Sequence, residues 1–103
     1  MSSEDLGALL GLARKAGKAV AGNYAVQRAI KQQKVFLLLI AADAAPNTKD
    51  EFRKLASHYN IPVCEFLTKA KLGASIGSSE SAVVAVLDPG FAQAIRQKSA
   101  KPT

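Results

Sequence analysis

Apolar residues recur every three or four positions in the first third of the chain, and this period predicts two amphipathic helices. The first helix is expected to end at Gly17. The second is expected to begin at a turn and cap formed by Gly22 and Asn23 and to end near Gln33. The apolar stripes of these two helices consist of Leu6, Leu9, Leu10, Ala13, Val26, Ala29 and Ile30.

Three further helices are predicted downstream. Pro46 suits a first helical turn and Asn60 a terminator, so the third helix is placed between them. A short helix is expected to be capped by Thr68 and closed by Gly77, and the last helix to follow the cap Asp88. The apolar stripes of the third and last helices consist of Phe52, Leu55, Ala56, Tyr59, Phe91 and Ile95.

Four segments between the helices predict strands. The run from Val35 to Ala42 has no polar face, which is typical of a central strand that is covered on both sides. Ala19 to Ala21, Ile61 to Phe66 and the valine-rich run from Ser81 to Leu87 complete the set. Since helices and strands alternate, the expected architecture is α/β, with a sheet between layers of helices.

Composition places the chain among compact intracellular proteins. Its 103 residues are 49% hydrophobic and 21% charged, which predicts a single domain spanning residues 1–103. Cys64 is the only cysteine, so no disulfide framework and no thiolate pair for zinc is expected. The longest apolar run is too short to span a bilayer, and the N-terminus lacks a basic signal region, so we expect a cytoplasmic protein with no membrane partner.

Charge is distributed unevenly along the sequence. All of the formal net charge of +6 falls in one stretch without acidic residues, from Leu6 to Ala42, and the remainder of the chain is balanced. The six cations of this stretch are Arg14, Lys15, Lys18, Arg28, Lys31 and Lys34. A field of one sign over part of a surface favours an anionic partner, and nucleic acid is the leading candidate.

The second predicted helix carries the clearest candidate site. Tyr24, Gln27, Arg28 and Lys31 have the spacing i, i+3, i+4 and i+7 and therefore share the face opposite the apolar stripe. The helix start at Gly22 and Asn23 could receive a phosphate, the two cations could contact further phosphates, and Tyr24 could stack on an unpaired base. The alternative is an ordinary solvated face with a capping asparagine.

Other candidates are more ambiguous. Lys15 and Lys18 follow the first helix and could contact the same phosphates, or they could be partners of the helix dipole alone. Gly73 lies inside a helix, which indicates either close packing or the approach of a ligand. Asp43 is interpreted as a turn or cap residue and His58 as a surface residue, rather than as catalytic groups.

Several motifs occur in an order that resembles a known family. They are the run from Ala13 to Lys18, Gly22 followed by Arg28-Ala29-Ile30, the apolar strand ending at Asp43, and Leu72-Gly73 with Gly77. They are similar to the ribosomal protein family of archaeal L7Ae and eukaryotic L30e, and the short bacterial YlxQ-like members are the most similar. The resemblance covers essentially the whole chain.

This resemblance implies a three-layer α/β/α sandwich with a mixed four-stranded sheet, no enzymatic activity and no cofactor, and binding to the kink-turn, an RNA helix bent at an internal loop. It implies that the RNA surface consists of Gly22 to Ala25, Arg28 and the loop from Gly77 to Ser81, including Ser78 and Ser79. Three features depart from the family pattern, and one of them is Arg28 in place of the usual lysine. Tyr24-Ala25 replaces an Asn-Glu pair that reads sheared G·A pairs, and the loop is serine-rich where the family is apolar.

The sequence therefore predicts a non-catalytic protein that binds structured RNA, with ribosomal RNA as the expected target. The predicted RNA-binding residues are Lys15, Lys18, Gly22, Asn23, Tyr24, Gln27, Arg28, Lys31, Ser78 and Ser79. Ribosomal or other RNA-associated proteins are expected as further partners, and neither a small-molecule substrate nor a metal is expected. The alternatives are a protein-interaction adapter that retains the fold but not kink-turn specificity and, less favoured, an enzyme acting on an anionic small molecule.

Overall fold

The structure is a computed structural model that describes residues 3–100, with side chains for residues 6–98. Helices and strands alternate along the chain as the sequence predicts. In chain order the elements are α1 (Ser3–Lys15), β1 (Ala19–Ala21), α2 (Asn23–Lys31), β2 (Leu37–Ile40), α3 (Pro46–His58), β3 (Val63–Cys64), α4 (Lys69–Ser75), β4 (Val83–Val86) and α5 (Pro89–Ala100). None of the described helices is long and apolar enough to cross a membrane.

The four strands form one mixed sheet in the order β1-β4-β2-β3. The strand β4 pairs antiparallel with both β1 and β2, and the short β3 pairs parallel with β2 at the sheet edge. The helices α2 and α3 pack together on one face, and α1, α4 and α5 pack together on the other. The predicted three-layer α/β/α sandwich with a mixed four-stranded sheet is confirmed.

The core lies around the two central strands. Every residue of β2 and β4 is buried, because helices cover both faces of the sheet at these positions. The apolar run from Val35 to Ala42 is only partly buried, however. Ala42 is exposed and Phe36, which precedes β2, is 47% exposed, so the prediction that the whole run is covered on both sides is wrong at these two positions, although Val35 is buried.

Local capping contacts explain where several helices begin. The hydroxyl of Thr68 accepts a hydrogen bond from the Lys71 amide at 3.2 Å, and the Asp88 carboxylate accepts one from the Phe91 amide at 2.9 Å, which confirms both predicted caps. The prediction of an asparagine cap on α2 is wrong. Gly22 occupies the cap position without any side-chain hydrogen bond, and Asn23 is the first residue of the helix.

The strand directions give the sheet two chemically different ends. At one end, which we call the Gly22 end, β1 finishes, β4 begins and the Ala41 amide donates to the Ala82 carbonyl at 2.8 Å. At the opposite end, which we call the far end, the Leu87 amide donates to the Lys18 carbonyl at 2.7 Å and the Phe36 amide to the Val86 carbonyl at 2.9 Å. The helix α2 returns the chain from the Gly22 end to the far end.

Candidate nucleic-acid interface

The start of α2 presents backbone amides rather than a capping side chain. Gly22 has φ 97° and ψ 147°, a conformation that is essentially restricted to glycine. Its amide donates to the Val83 carbonyl at 3.3 Å, which fixes the turn to the sheet, and its carbonyl accepts the Val26 amide at 3.0 Å. The amides of residues 23–25 are the first of the helix and have no partner within it, so they could donate to an anion such as phosphate.

A serine-rich loop, residues 77–81, leads into β4 beside this helix start. Gly77 enters the loop with φ 78°, and the Ser78 amide donates to the Gly73 carbonyl at 2.7 Å. At the other end of the loop the Ser81 hydroxyl is buried and donates to the Val83 carbonyl at 2.9 Å. Since the same Val83 carbonyl accepts the Gly22 amide, the serine-rich loop and the start of α2 lie side by side at the Gly22 end.

Gly73 shapes the serine-rich loop by close packing. A Cβ atom at this position would lie 2.6 Å from Glu80 Cα and 2.8 Å from the Ser79 carbonyl carbon, distances that real Cβ contacts do not reach. The close approach is therefore to the backbone of the loop, which accounts for a glycine inside α4 without a ligand. Of the two interpretations that the sequence left open, the structure supports packing.

The polar face of α2 forms an open basic surface. Tyr24 is 76% exposed, and its neighbours Gln27, Arg28 and Lys31 lie along the same face, where they line a depression of about 330 Å³ together with Gln32. Among the described residues, neither Arg28 nor Lys31 forms an ion pair. The buried stripe of Val26, Ala29 and Ile30 turns this face outward, as predicted.

One acidic residue adjoins the polar face of α2. The Gln27 amide group donates from Nε2 to Oε2 of Glu51 on α3 at 3.0 Å. The sequence gives no sign of this contact, because the two residues are 24 positions apart and their proximity depends on how α2 packs against α3. Glu51 therefore contributes a negative charge at the border of an otherwise basic surface.

The structure does not bring Lys15 and Lys18 to the Gly22 end. Both are exposed, but Lys18 precedes β1 and Gly22 follows it, so the strand separates them by about 13 Å at 3.3 Å per residue. Lys15 lies in the last turn of α1, also at the far end. The remaining predicted residues, including Ser78 and Ser79, adjoin the Gly22 end or lie along α2.

The polar residues that were not assigned to RNA have structural contacts. Oδ1 of Asp43 accepts the Lys69 amide at 2.8 Å and so ties the end of β2 to the start of α4, a role that the sequence did not indicate. His58 is exposed and its ring packs edge-on against Tyr59 with 4.9 Å between centroids. These contacts agree with the interpretation of both residues as structural.

Taken together, the fold and the surface define a class: a three-layer α/β/α domain in which a glycine-started helix presents an uncompensated basic face beside a serine-rich loop. The profile of the Ribosomal protein L7Ae/L30e/S12e/Gadd45 family matches residues 3–96. The chain belongs to this family, which is non-enzymatic, and to its YlxQ-like branch.

Curated bacterial relatives match most of the chain. An RNA-binding protein YlxQ from Bacillus subtilis (strain 168) is 38% identical over 92 residues, which cover 89% of this chain and 92% of that protein. An RNA-binding protein YlxQ from Enterococcus faecium is 32% identical over 89 residues, covering 86% of this chain and 85% of that protein.

Solved structures share the fold. A protein of unknown function from Bacillus halodurans has a TM-score of 0.89 and 30% identity, with 93% of this chain and 97% of that chain covered. The 15.5kD RNA binding protein of Giardia lamblia has a TM-score of 0.80 with 95% of this chain and 87% of that chain covered; at 20% identity this likeness shows the fold alone.

Proposed function

We propose that this chain is a non-catalytic RNA-binding protein that engages structured RNA through the start of α2 and the polar face of that helix. The observation that carries the proposal is a continuous surface that combines the uncapped amides of residues 23–25 with Arg28 and Lys31, which have no ion-pair partner among the described residues. Membership of the L7Ae family, and relatives that are themselves named RNA-binding proteins, support it.

In this proposal the parts of the surface have different roles. The amides of residues 23–25 receive a phosphate, helped by the positive end of the helix dipole. Arg28 and Lys31 contact phosphates one and two turns further along, which positions the RNA without reading its sequence. The exposed ring of Tyr24 stacks on an unpaired base, and Ser78 and Ser79 approach the same RNA from the neighbouring loop.

The RNA target that we propose is a kink-turn in ribosomal RNA, bound in the cytoplasm together with other RNA-associated proteins. The L7Ae family membership supports the kink-turn. Because Tyr24 and Ala25 replace an Asn-Glu pair, the chain has fewer groups for reading base edges at these positions. We therefore expect recognition of the kink-turn to depend more on backbone geometry than on the identity of its G·A pairs.

A salt titration tests RNA binding at the level of charge. With a kink-turn RNA duplex as the probe and fluorescence anisotropy as the readout, phosphate contacts by Arg28 and Lys31 give a slope of log affinity against log salt of about −2. The double variant Arg28→Gln/Lys31→Gln is expected to reduce the magnitude of this slope by about 2, since each phosphate contact contributes about 0.9. Lys54→Gln on α3 is the control, and its slope should equal that of the wild type.

The alternatives make different predictions in the same experiment. A flat salt response would contradict RNA binding, and equal effects of the α2 and α3 variants would contradict the assignment of the site. If the protein were an adapter, Arg28→Gln/Lys31→Gln would abolish the capture of an acidic protein partner and leave residual RNA binding unchanged. Replacing the sheared G·A pairs of the probe by Watson–Crick pairs separates kink-turn recognition, which requires the bend, from binding to any duplex.

A further inference from the structure

The fold divides the six cations of the acid-free stretch between two places. Arg28 and Lys31 lie on the polar face of α2, whereas the other four lie at or near the far end of the sheet. These four are Arg14 and Lys15 in the last turn of α1, Lys18 before β1, and Lys34 after α2. Most of the charge that distinguishes the sequence is therefore away from the surface described above.

An open groove with an aromatic wall lies at this far end. Phe36, Pro89, Ala92, Gln93 and Arg96 line it, and its volume is about 330 Å³. Phe36 is 47% exposed although it belongs to the most apolar run of the chain, so its side chain is partly open to solvent. The groove thus combines a flat apolar surface with the guanidinium of Arg96.

Cations flank the groove because of the way the strands meet there. Lys34 precedes Phe36 by two residues, and Lys18 lies across the end of β4, since Val86 pairs with both β1 and β2. Because β4 lies between β1 and β2, the backbones of Lys18 and Phe36 are two inter-strand spacings apart, which is about 10 Å. Both lysines are exposed, and neither forms an ion pair within the described part of the chain.

One acidic residue, Asp88, adjoins the groove in the sequence, and it carries one negative charge against the two positive charges of Lys18 and Lys34. Asp88 is half-buried, and its Oδ2 accepts the Phe91 amide at the start of α5. An exposed aromatic ring surrounded by cations is the combination with which proteins bind unpaired nucleotides, since the ring stacks on a base and the cations follow the phosphates. A duplex hides the faces of its bases and could use only the cations.

We infer that the far end is a second RNA-contact surface, which takes an unpaired nucleotide by stacking its base on Phe36 while Lys18 and Lys34 contact the adjoining phosphates. This inference rests on the proposed function, because it concerns the same RNA. The surface, which we call the far-end surface, comprises Lys15, Lys18, Lys34, Phe36 and Arg96.

The polar face of α2 connects the two surfaces. From Asn23 to Lys31 the helix rises about 12 Å at 1.5 Å per residue, in the direction from the Gly22 end to the far end. Lys31 at its last turn is followed three residues later by Lys34. Because the groove is lined by α5, on the opposite face of the sheet from α2, an RNA strand that leaves the structured region along α2 must cross the end of the sheet at Lys34 to reach Phe36.

Two probes that differ only in a single-stranded segment test this surface. One is a blunt kink-turn duplex, and the other is the same duplex with an oligoadenosine tail of about eight nucleotides, within the usual range for single-strand sites. The tail should raise the affinity of the wild type about tenfold, since one base stacked on an aromatic ring contributes about 5- to 150-fold. Phe36→Leu should lose this gain and retain the affinity for the blunt duplex.

Matched variants keep the test independent of folding defects. Phe36→Tyr preserves the ring and should preserve the gain, and Phe66→Leu, which changes a phenylalanine that is 46% exposed elsewhere, should leave both affinities unchanged. Lys18→Gln/Lys34→Gln alters only exposed side chains and should reduce the salt dependence of the gain. No gain from the tail in the wild type, or a full gain in Phe36→Leu, would overturn the inference.

The same design distinguishes failure of this inference from failure of the proposed function. Loss of the tail effect with tight, salt-dependent binding of the blunt duplex rejects the far-end surface alone. Absence of blunt-duplex binding rejects the proposed function. Oligoadenosine on its own is then the remaining probe of Phe36: weaker binding by Phe36→Leu than by Phe66→Leu supports the surface, and equal binding rejects it.

Discussion

The helices α2 and α3 pack side by side on one face of the sheet, yet their exposed charges are arranged in opposite ways. On α2 the charged residues are all basic, and Arg28 and Lys31 have no ion-pair partner among the described residues. On α3 acidic and basic residues are mixed, and Arg53 donates to both carboxylate oxygens of Glu65 at 2.5 and 2.6 Å. Similar amphipathic helices therefore present very different surfaces.

The charges of α3 have a structural role inside the molecule. The bidentate contact between Arg53 and Glu65, together with Lys49 at 3.8 Å, ties α3 to the segment that follows β3 at the sheet edge. Among the described residues, Arg28 and Lys31 of α2 form no ion pair. Both positive charges can therefore interact with a bound partner. The comparison makes α3 an internal control for every test of α2.

The starts of α2 and α3 also differ, because the cap of α2 is a glycine with a positive φ. Gly22→Ala places a Cβ where φ is 97°, which is expected to cost about 1–3 kcal/mol of unfolding free energy. The Tm should fall by about 4–8 °C for each kcal/mol in a domain of this size. Because the distorted turn misdirects the amides of residues 23–25, RNA affinity should also fall about 10- to 100-fold, which corresponds to one charge-assisted hydrogen bond.

The equivalent change on α3 is the control for Gly22→Ala. Ala45 is the cap of α3 and has φ −59° and ψ 145°, which any residue adopts, and Pro46 follows it in the first turn. Ala45→Gly should therefore leave both the Tm and RNA affinity close to wild type in thermal unfolding and anisotropy measurements. Wild-type affinity in a folded Gly22→Ala variant would show that the helix start is not part of the RNA surface.

The contact between the helices provides a second, smaller prediction. Glu51→Gln removes the one carboxylate that, among the described residues, contacts the polar face of α2, and it leaves an amide that can still bond Gln27. RNA affinity should rise about 2- to 5-fold at low salt, and the rise should shrink as salt screens the charge. Affinity measured at two salt concentrations checks both statements.

Asp50→Asn separates a local effect from net charge. Asp50 is exposed on the same helix, forms no hydrogen bond or ion pair with α2 among the described residues, and gives the same change in net charge. It should raise RNA affinity less than Glu51→Gln does. Equal gains from the two variants would mean that only the overall charge of the protein matters at this border.

The sequence was sufficient to predict the fold because the signals for each element agree. Apolar periodicity located the helices, and the caps Thr68 and Asp88 function as their residue types suggest. The sequence also predicted the polar face of α2, since the buried positions Val26, Ala29 and Ile30 determine which side of the helix faces outward.

The sequence did not predict features that depend on how distant segments of the chain pack together. That Lys18 and Gly22 lie at opposite ends of β1 follows from strand pairing, which the sequence does not specify locally. The contact of Gly73 with the backbone at Glu80 and the exposure of Phe36 depend on how a loop and a strand end are covered. Each requires a neighbour that is distant in sequence, and apolar periodicity carries no information about such neighbours.

The smallest expected effect concerns the compensated charges of α3. The hydrogen bonds from Arg53, with the nearby positive charge of that residue and of Lys49, lower the pKa of Glu65 below its ordinary value of 4.5, although partial burial opposes the shift. A carboxylate whose pKa is lowered in the folded state stabilises that state above its ordinary pKa, and the stabilisation is lost as the pH falls through the lower, folded-state pKa.

Glu65→Gln should therefore reduce the Tm by about 1–3 °C at neutral pH, and the difference from wild type should disappear progressively below pH 4.5. Thermal unfolding at a series of pH values measures this, with RNA affinity at neutral pH expected to remain unchanged. A loss of RNA affinity in Glu65→Gln would contradict the assignment of RNA binding to α2 alone. It would mean that the ion pairs of α3 with Glu65 also contribute to the RNA surface.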